Sequence, residues 1–413
     1  MPFKKLSING SSVQEFQIVY PAENSIAEFL AEELSKKILA ATGFRPAVVS
    51  DASSEGDHEL RLGATCRTTL ETTAPNTYRI AVSGQHVEAL TNCAFGYDDI
   101  LTAFDNALSQ EGDLAWADGT QWQGTLANTP LIPESYDVCI LYHNILGYLP
   151  WYPVCNRAKM GLELYREYMP DVIGLQEVSH FYHNDSIETI RAMEEMGYQE
   201  IRFPRYGYGN PIYYNANRLM LLECGYKTAR PGDKGTTWSV FEIKRSGGKT
   251  FAVMNSHFAA DSNANRDPVL GNQYRAEDAK ILVQVVEMTK QRYPGIPIFT
   301  GGDYNSDIHS DPLKAALDGG LICIRDVAKD HTLSDFCAYN GYPQYDKEAN
   351  RYGYEEFHYR PADSNIDFVM VAGDQTDVTV HDYVIMKDRI SCTVSDHLPH
   401  LIHVTLPTPP EAT

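Results

Sequence analysis

Apolar, strand-like runs that stop one after another on a chemically capable polar residue constrain this chain more than any other feature. "YDVCILYHN" ends at Asn144, "DVIGLQE" at Glu177, "FAVMNSH" at His257, and "IPIFTGGDYN" at Asp303 and Asn305. Two further groups stand at strand beginnings: Asp367 opens "IDFVMV", and Asp396 and His397, in "VSDHLPH", precede "HLIHV". If the last two strands run antiparallel to the first four, all these side chains meet on one edge of the sheets. A single Asp or Asn at a strand end is usually a turn residue. So many in one consistent arrangement are not explained by turns, and a rigid sheet edge is where a scaffold presents reactive groups.

The residue types make chemical sense together. Glu177, Asp303 and Asp396 are hard oxygen ligands, Asn144 and Asn305 neutral ones, and no thiolate stands near them, a set that selects magnesium or manganese over zinc. His257 and His397 move protons near neutral pH, and Asp367 is available to orient an imidazole. No serine or cysteine nucleophile motif accompanies them. The combination points to water attacking a phosphate ester. His397 is suited to take the proton from that water, with the Asp303 carboxylate as the competing base, so the rate is expected to fall as His397 becomes protonated in acid.

With 413 residues, of which 43% are hydrophobic, two domains are expected. Residues 1–123 read as a small α/β domain. A strand at 16–20 precedes "SIAEFLAEELSKKILAATG", a helix with a Ser25–Glu28 capping box and Gly43 as its stop. Strands follow near 46–49, 59–62, 78–82 and 86–90, then a helix over 94–108. "GTLANTPLIPES", 124–135, reads as a linker. From 136 to 413 the texture is that of many strands (136–142, 171–176, 218–223, 237–243, 250–256, 296–300, 366–372, 377–385). Helices over 157–169, 186–196 and 275–292 are interspersed, which implies two sheets packed face to face with helices outside.

The 55 acidic and 34 basic residues leave a net charge of −21, which repels polyanions and disfavours broad nucleic-acid binding. The eight scattered cysteines have no metal-site spacing and read as buried free thiols. No apolar run has the length of a bilayer span or a signal core, so the chain as given is expected to be cytoplasmic, or secreted if a signal has been trimmed from it.

The motifs "LYHN", "GLQEV", "NSHF", "GGDYNSD", "NIDFVMV" and "VSDHLPH" resemble, in this order, the endonuclease/exonuclease/phosphatase superfamily over about residues 136–406. "PIYYNANRLMLLECG" and "TTWSVFEI" resemble its central hairpin region. The resemblance implies a four-layer, deoxyribonuclease I-like β-sandwich flanked by helices, an α/β (α+β) fold, and a magnesium- or manganese-dependent phosphoric ester hydrolase. It implies metal binding by Asn144, Glu177 and Asp396, and leaving-side stabilisation by His257. Asp303 and Asn305 would position water and the phosphoryl oxygen, and Asp367 would pair with His397. His400 matches nothing functional. Two departures stand out: Tyr304 replaces a usual Phe, and Asn365 stands where a basic residue is frequent, which leaves the substrate class open.

The N-terminal region is similar in pattern to the small α/β domain that precedes the barrel of hexosaminidases and related glycoside hydrolases. Tyrosine-rich stretches 202–214 and 338–360 read either as surface loops or as a substrate rim, with Arg202, Arg205, Tyr213 and Tyr214 as rim candidates. His180 and His183 read as loop residues rather than metal ligands, and His358 is given no role. The expected substrate is a phosphate ester, small or lipid- or sugar-linked, cleaved as a diester or a monoester. A nuclease is the first alternative. A catalytically idle, carbohydrate-associated binding protein is the second.

Overall fold

In the computed structural model, residues 3–71, 76–93, 96–126, 132–146, 157–178, 187–203, 210–230, 234–244, 248–264, 266–339, 345–346, 351–352, 362–372 and 378–408 are described. Contacts divide the chain into two units. The first comprises Met1–Leu131, Lys159–Glu167 and Asp388–Ile390, and the second the remainder.

In the first unit, β1 (Leu6–Ile8), β2 (Ser11–Ser12) and β8 (Leu114–Trp116) form a small sheet in the order β2-β1-β8. A six-stranded sheet joins β3 (Gln17–Tyr20), β4 (Ala47–Ser50), β5 (Glu59–Leu62), β6 (Thr77–Ser83), β7 (His86–Thr91) and β9 (Gln121–Thr125) in the order β4-β3-β5-β7-β6-β9. Helix Ser25–Thr42 buries Ile26, Phe29, Leu30, Leu34 and Ile38, the stripe its periodicity predicts. Its cap differs from expectation. Asn24, not Ser25, is the N-cap, accepting from the Ile26 and Ala27 amides at 3.1 and 2.9 Å. Ser25 already lies inside the helix, and Glu28 accepts from the Tyr20 hydroxyl at 3.2 Å. Gly43, at φ 75°, closes the helix as expected. Strand β9 pairs with β6 as far as Thr125, inside the stretch read as linker.

The second unit is built on two six-stranded sheets. One runs β12-β13-β11-β10-β23-β22, where β10 is Val138–Asn144, β11 Val172–Gln176, β12 Tyr198–Ile201, β13 Ile212–Asn215, β22 Thr379–Ile385 and β23 His400–Thr405. The other runs β14-β15-β16-β17-β21-β18, where β14 is Leu219–Lys227, β15 Thr236–Ile243, β16 Thr250–His257, β17 Ile298–Asp303, β18 Leu321–Cys323 and β21 Asp367–Ala372. Strand alternation divides the side chains between two cores. Phe251, Val253, Phe299, Val369 and Val371 face the interior between the sheets, with Val138, Ile140, Tyr142 and Ile402. Their neighbours Ala252, Met254, Ile298, Phe368 and Met370 pack instead with Ala279, Leu282, Val285 and Val286 of helix Pro268–Arg292 and Leu313 of helix Asp311–Asp318. The mixed α/β architecture is that of the deoxyribonuclease I-like fold.

Register then decides what reaches the edge. β10 is parallel to β11, pairing Asn144 with Gln176, and β16 is parallel to β17, pairing His257 with Asp303. β21 and β23 run antiparallel to β17 and β10, so Asp303 faces Asp367 and Tyr142 faces His400. The ends of β10, β11, β16 and β17 and the starts of β21 and β23 therefore share one edge. Gly302 makes the approach at that edge: at φ 135°, a Cβ there would lie 2.0 Å from the Ser256 carbonyl oxygen.

Among the described cysteines, Cys93, Cys139, Cys337 and Cys392 are buried, Cys224 and Cys323 are partly covered, and Cys66 is exposed, all as free thiols. No helix among the described residues is long and apolar enough to cross a membrane.

Candidate active site

At the shared edge His397 is held by Asp367, its Nδ1 lying 2.8 Å from Oδ2 and 3.0 Å from Oδ1. The other ring nitrogen, Nε2, lies 3.9 Å from Asp303 and 4.0 Å from Asp396. Burial disfavours the charged ring, but the carboxylates of Asp367, Asp396 and Asp303 outweigh it and hold the pKa well above its usual value. A buried imidazole among carboxylates is thus an imidazolium at neutral pH. Its partner's placement is secured by Asn365, whose amide donates to the Asp367 carbonyl at 2.5 Å and whose oxygen accepts from the Ala338 amide at 2.9 Å. The residue that departs from the family pattern therefore shapes the loop under the pair.

Asp303 is nearly fully buried and gathers the other groups. Its Oδ2 accepts from the Asn144 amide at 3.0 Å and lies 3.3 Å from His257 Nε2. Burial alone would raise its pKa, yet His257, His397 and Lys234 together hold it below the usual carboxylate range. Asp303 stays ionised. Asn305, at φ 48°, donates to the Phe258 carbonyl at 3.1 Å, and its backbone amide donates to Asp303 Oδ1 at 2.8 Å.

His257 has no solvent exposure, and Lys234 Nζ stands 2.5 Å from its Nε2. Burial and that ammonium lower the ring's pKa to about 4, so a neutral His257 accepts a hydrogen bond from Lys234. Lys234 was invisible in the sequence. It sits in "GDKGTTW", before β15, with no strand-end signature to mark it.

Glu177 follows β11 in a left-handed conformation at φ 60°. Such backbone costs about 1–3 kcal/mol in a residue with a side chain, and it clusters at functional sites. Burial pushes its carboxyl up to about 7. Lys234 and His397 pull it down, and Asp396 and Asp303 push it further up. Its Oε2 is buried with no hydrogen-bond partner among the described residues. A buried carboxylate oxygen without a donor is costly unless a cation is bound there.

Asp396 is partly exposed, and burial raises its pKa while His397 and Arg157 act to lower it. The Asn144 side-chain oxygen accepts from the Leu146 amide at 3.1 Å. With Glu177 these are oxygen donors only, a set that fits a hard divalent cation. Asp303, Asp367 and His397 also bring ligand atoms within 4.8 Å of one another. In that trio, however, the His397 Nδ1 is taken by Asp367, and Asp303 Oδ2 accepts from Asn144, so it is better read as proton-handling machinery. The orphaned oxygen is on Glu177.

The described rim candidates, Arg202, Tyr213 and Tyr214, have their bonds elsewhere. Tyr213 and Tyr214 are buried residues of β13 whose hydroxyls donate to Glu200 at 2.8 Å and to Gln199 at 2.6 Å. Tyr214 belongs to the core between the sheets. Arg202 donates to the Val178 carbonyl at 2.9 Å, close in sequence to Glu177. Arg205, His180, His183 and His358 lie outside the described residues. His400 is, as expected, a strand residue, its Nδ1 2.7 Å from the Tyr383 hydroxyl.

A family model described as "Endonuclease/Exonuclease/phosphatase family" matches residues 162–397. Among solved structures, an endonuclease/exonuclease/phosphatase from Bacteroides vulgatus is similar, with 20% identity and a TM-score of 0.50 over 66% of this chain and 100% of that one. The mannosyl-6-phosphatase of Bacteroides thetaiotaomicron VPI-5482 aligns at 19% identity and a TM-score of 0.48, covering 65% of this chain and 99% of that one. The human Nocturnin catalytic domain with bound sulfate anion aligns at 18% and 0.47, covering 65% and 94%. No curated protein matches the chain.

Proposed function

The chain belongs to the endonuclease/exonuclease/phosphatase family, a family of phosphoester hydrolases, and on that premise we propose that it is a magnesium- or manganese-dependent hydrolase of small phosphate esters, lipid- or sugar-linked ones included. The observation that carries the reading is the buried, donorless Glu177 oxygen beside an ionised Asp303 and a charged His397. Asn144, Glu177 and Asp396 would hold the cation, which when bound supplies Lewis-acid stabilisation of charge on the phosphoryl oxygens.

The chain's own groups then divide the work. Asp303, ionised throughout the neutral range, accepts a hydrogen bond from the attacking water and takes its proton as the new P–O bond forms. The role first given to His397 thereby passes to the competing base, because an imidazolium has no lone pair for a proton. His397 instead presents an Nε2–H to a phosphoryl oxygen, with Asp367 fixing the ring's orientation. The Lys234 ammonium, beside neutral His257, supplies positive charge for the leaving oxygen. The net charge of −21 favours a small ester over a nucleic acid as substrate.

The test is a panel assay in magnesium against generic phosphodiesters, phosphomonoesters, phosphosugars and single- and double-stranded nucleic acid, each with and without EDTA. Metal-dependent turnover of a small ester is expected. Turnover of nucleic acid alone would replace this reading with a nuclease, and no turnover of any substrate would leave an idle binding protein.

A further inference from the structure

Behind the groups that face substrate, a second set of bonds joins the two backbone segments that carry Asn144 and Asp396. These residues lie 252 positions apart in sequence and on different strand exits, so no local geometry brings them together. Two residues do. Ser395, fully buried, donates its hydroxyl to the Asn144 carbonyl at 2.5 Å and accepts from the His397 amide at 3.2 Å. Arg157, the first residue of helix Arg157–Tyr168, is 1% exposed. Its Nη1 donates to the Val394 carbonyl at 2.8 Å and to the Ile145 carbonyl at 3.2 Å, and its Nη2 to the Leu146 carbonyl at 3.2 Å.

The backbone is shaped to meet that guanidinium. Leu146 is held at φ 50°, a conformation disfavoured for a branched residue, and its amide donates to the Asn144 side-chain oxygen. The Ile145 amide donates to the Gln176 carbonyl at 3.2 Å, which ties the residue before Glu177 into the same turn. One planar, five-donor group thus collects carbonyls from the exits of both segments. A lysine, with one point of charge on a flexible stem, could not reproduce that fork.

We propose that Arg157 and Ser395 are positioning residues that lock the Asn144–Leu146 turn to the Val394–His397 segment and so set the spacing of the metal-binding side chains. Neither residue touches substrate. The inference rests on the reading that Asn144, Glu177 and Asp396 bind a divalent cation, and it goes further by naming what pre-organises them. Partners that orient metal ligands typically contribute about 10–100-fold to metal affinity or activity when mutated.

The experiment is calorimetric titration of the full chain with manganese, without substrate, on wild type, Glu177→Gln, Arg157→Lys and Ser395→Ala, each below its own melting temperature. Wild-type binding that Glu177→Gln abolishes is the premise, and its absence would overturn the metal reading itself. Given that binding, Arg157→Lys should weaken the manganese Kd by about 10–100-fold and Ser395→Ala by several-fold, with both proteins folded by circular dichroism. A merely structural role would lower the Tm and leave the affinity of folded protein unchanged. Binding within twofold of wild type in both variants overturns the proposal. If Arg157→Lys does not fold, Ser395→Ala decides alone by the same criterion.

Discussion

Among the described residues of the second unit, two histidines are held by an aspartate through Nδ1, and the bond lengths are the same. His397 Nδ1 lies 3.0 and 2.8 Å from the two oxygens of Asp367, and His403 Nδ1 lies 3.0 and 2.8 Å from those of Asp382. Both are buried. The difference is on the far side of each ring. His397 Nε2 looks onto Asp303 and Asp396. His403 Nε2 has no hydrogen-bond partner among the described residues, and the Tyr136 ring packs edge-on against the imidazole at 4.6 Å. His403 pairs across the sheet with Cys139, about 17 Å of strand away from Asn144. An oriented imidazole is therefore not in itself a catalytic device. The groups that meet its second nitrogen make it one, and the second pair holds β22 to β23, since Asp382 also accepts from the His403 amide at 2.8 Å.

Metal removal should separate the two ends of the sheet most completely. EDTA is expected to reduce hydrolysis to background and magnesium or manganese to restore it, while the Asp382–His403 pair, which has no part in the cation site, is unaffected. Full activity in excess chelator would remove the metal from the mechanism.

Substitution comes next in size. His397→Ala and Asp303→Asn should each lower kcat by about 10²–10⁴-fold, and Asp367→Asn by somewhat less. His403→Ala should stay within twofold of wild-type kcat. A comparable loss in His403→Ala would erase the distinction drawn here. The pH profile sharpens it, because a working imidazolium gives a rate that falls on the alkaline side, whereas a base with a pKa near ~6.5 gives an acid limb. The same raised pKa stabilises metal-free protein fully below the unfolded value of about 6.5, and that contribution is lost as pH rises through the folded value.

On stability the order should reverse. Asp382→Ala strips a buried histidine of its acceptor and is expected to cost about 1–3 kcal/mol by denaturant unfolding, with kcat preserved. Glu177→Gln should do the opposite in metal-free protein. Its carboxyl titrates near 7 when folded and near 4.5 otherwise, so the folded state holds a proton that the unfolded chain has lost between those values. Stability therefore drops as pH rises through that window, by about 3–4 kcal/mol at most. The glutamine variant should lack this slope and be the more stable protein above pH 7. An unchanged slope would mean that the carboxylate is not isolated.

Several elements were legible because their signals are local. The stripe of Ser25–Thr42 and its Gly43 stop are written in sequence spacing, and so are the alternating runs that became β15, β16, β17 and β21. Others were not. Helix Pro268–Arg292 was expected only from 275, because its first turn exposes Val269 to solvent at 67% and shows no apolar periodicity, although Asp267–Pro268 is a regular start signal. Strand β12 buries only its two ends, Tyr198 and Ile201, and shows no alternation that would tell it from a loop. The Ser25–Glu28 capping box failed because Asn24, one residue earlier, offers its amide oxygen to the same orphaned amides.

By itself the sequence determined which chemistry was available: oxygen donors, two histidines and an orienting acid at strand ends, in an order that marks the family. Those are properties of residue type and of period-two alternation, and both survive in a single string of letters. It did not determine which histidine would carry charge or which acid would act as base, because protonation follows from the field of neighbours brought together by folding. His397 is charged because three carboxylates from separate segments surround it, and His257 is neutral because Lys234 lies beside it in a dry site. Tyr213 and Tyr214 became strand interior rather than rim for a similar reason, since antiparallel pairing with β11 and β12 turned them into the sheet. Arg157 and Ser395, whose contacts span 237 and 251 positions, carry no signature in sequence. Their role exists only where β10 and the segment before β23 meet.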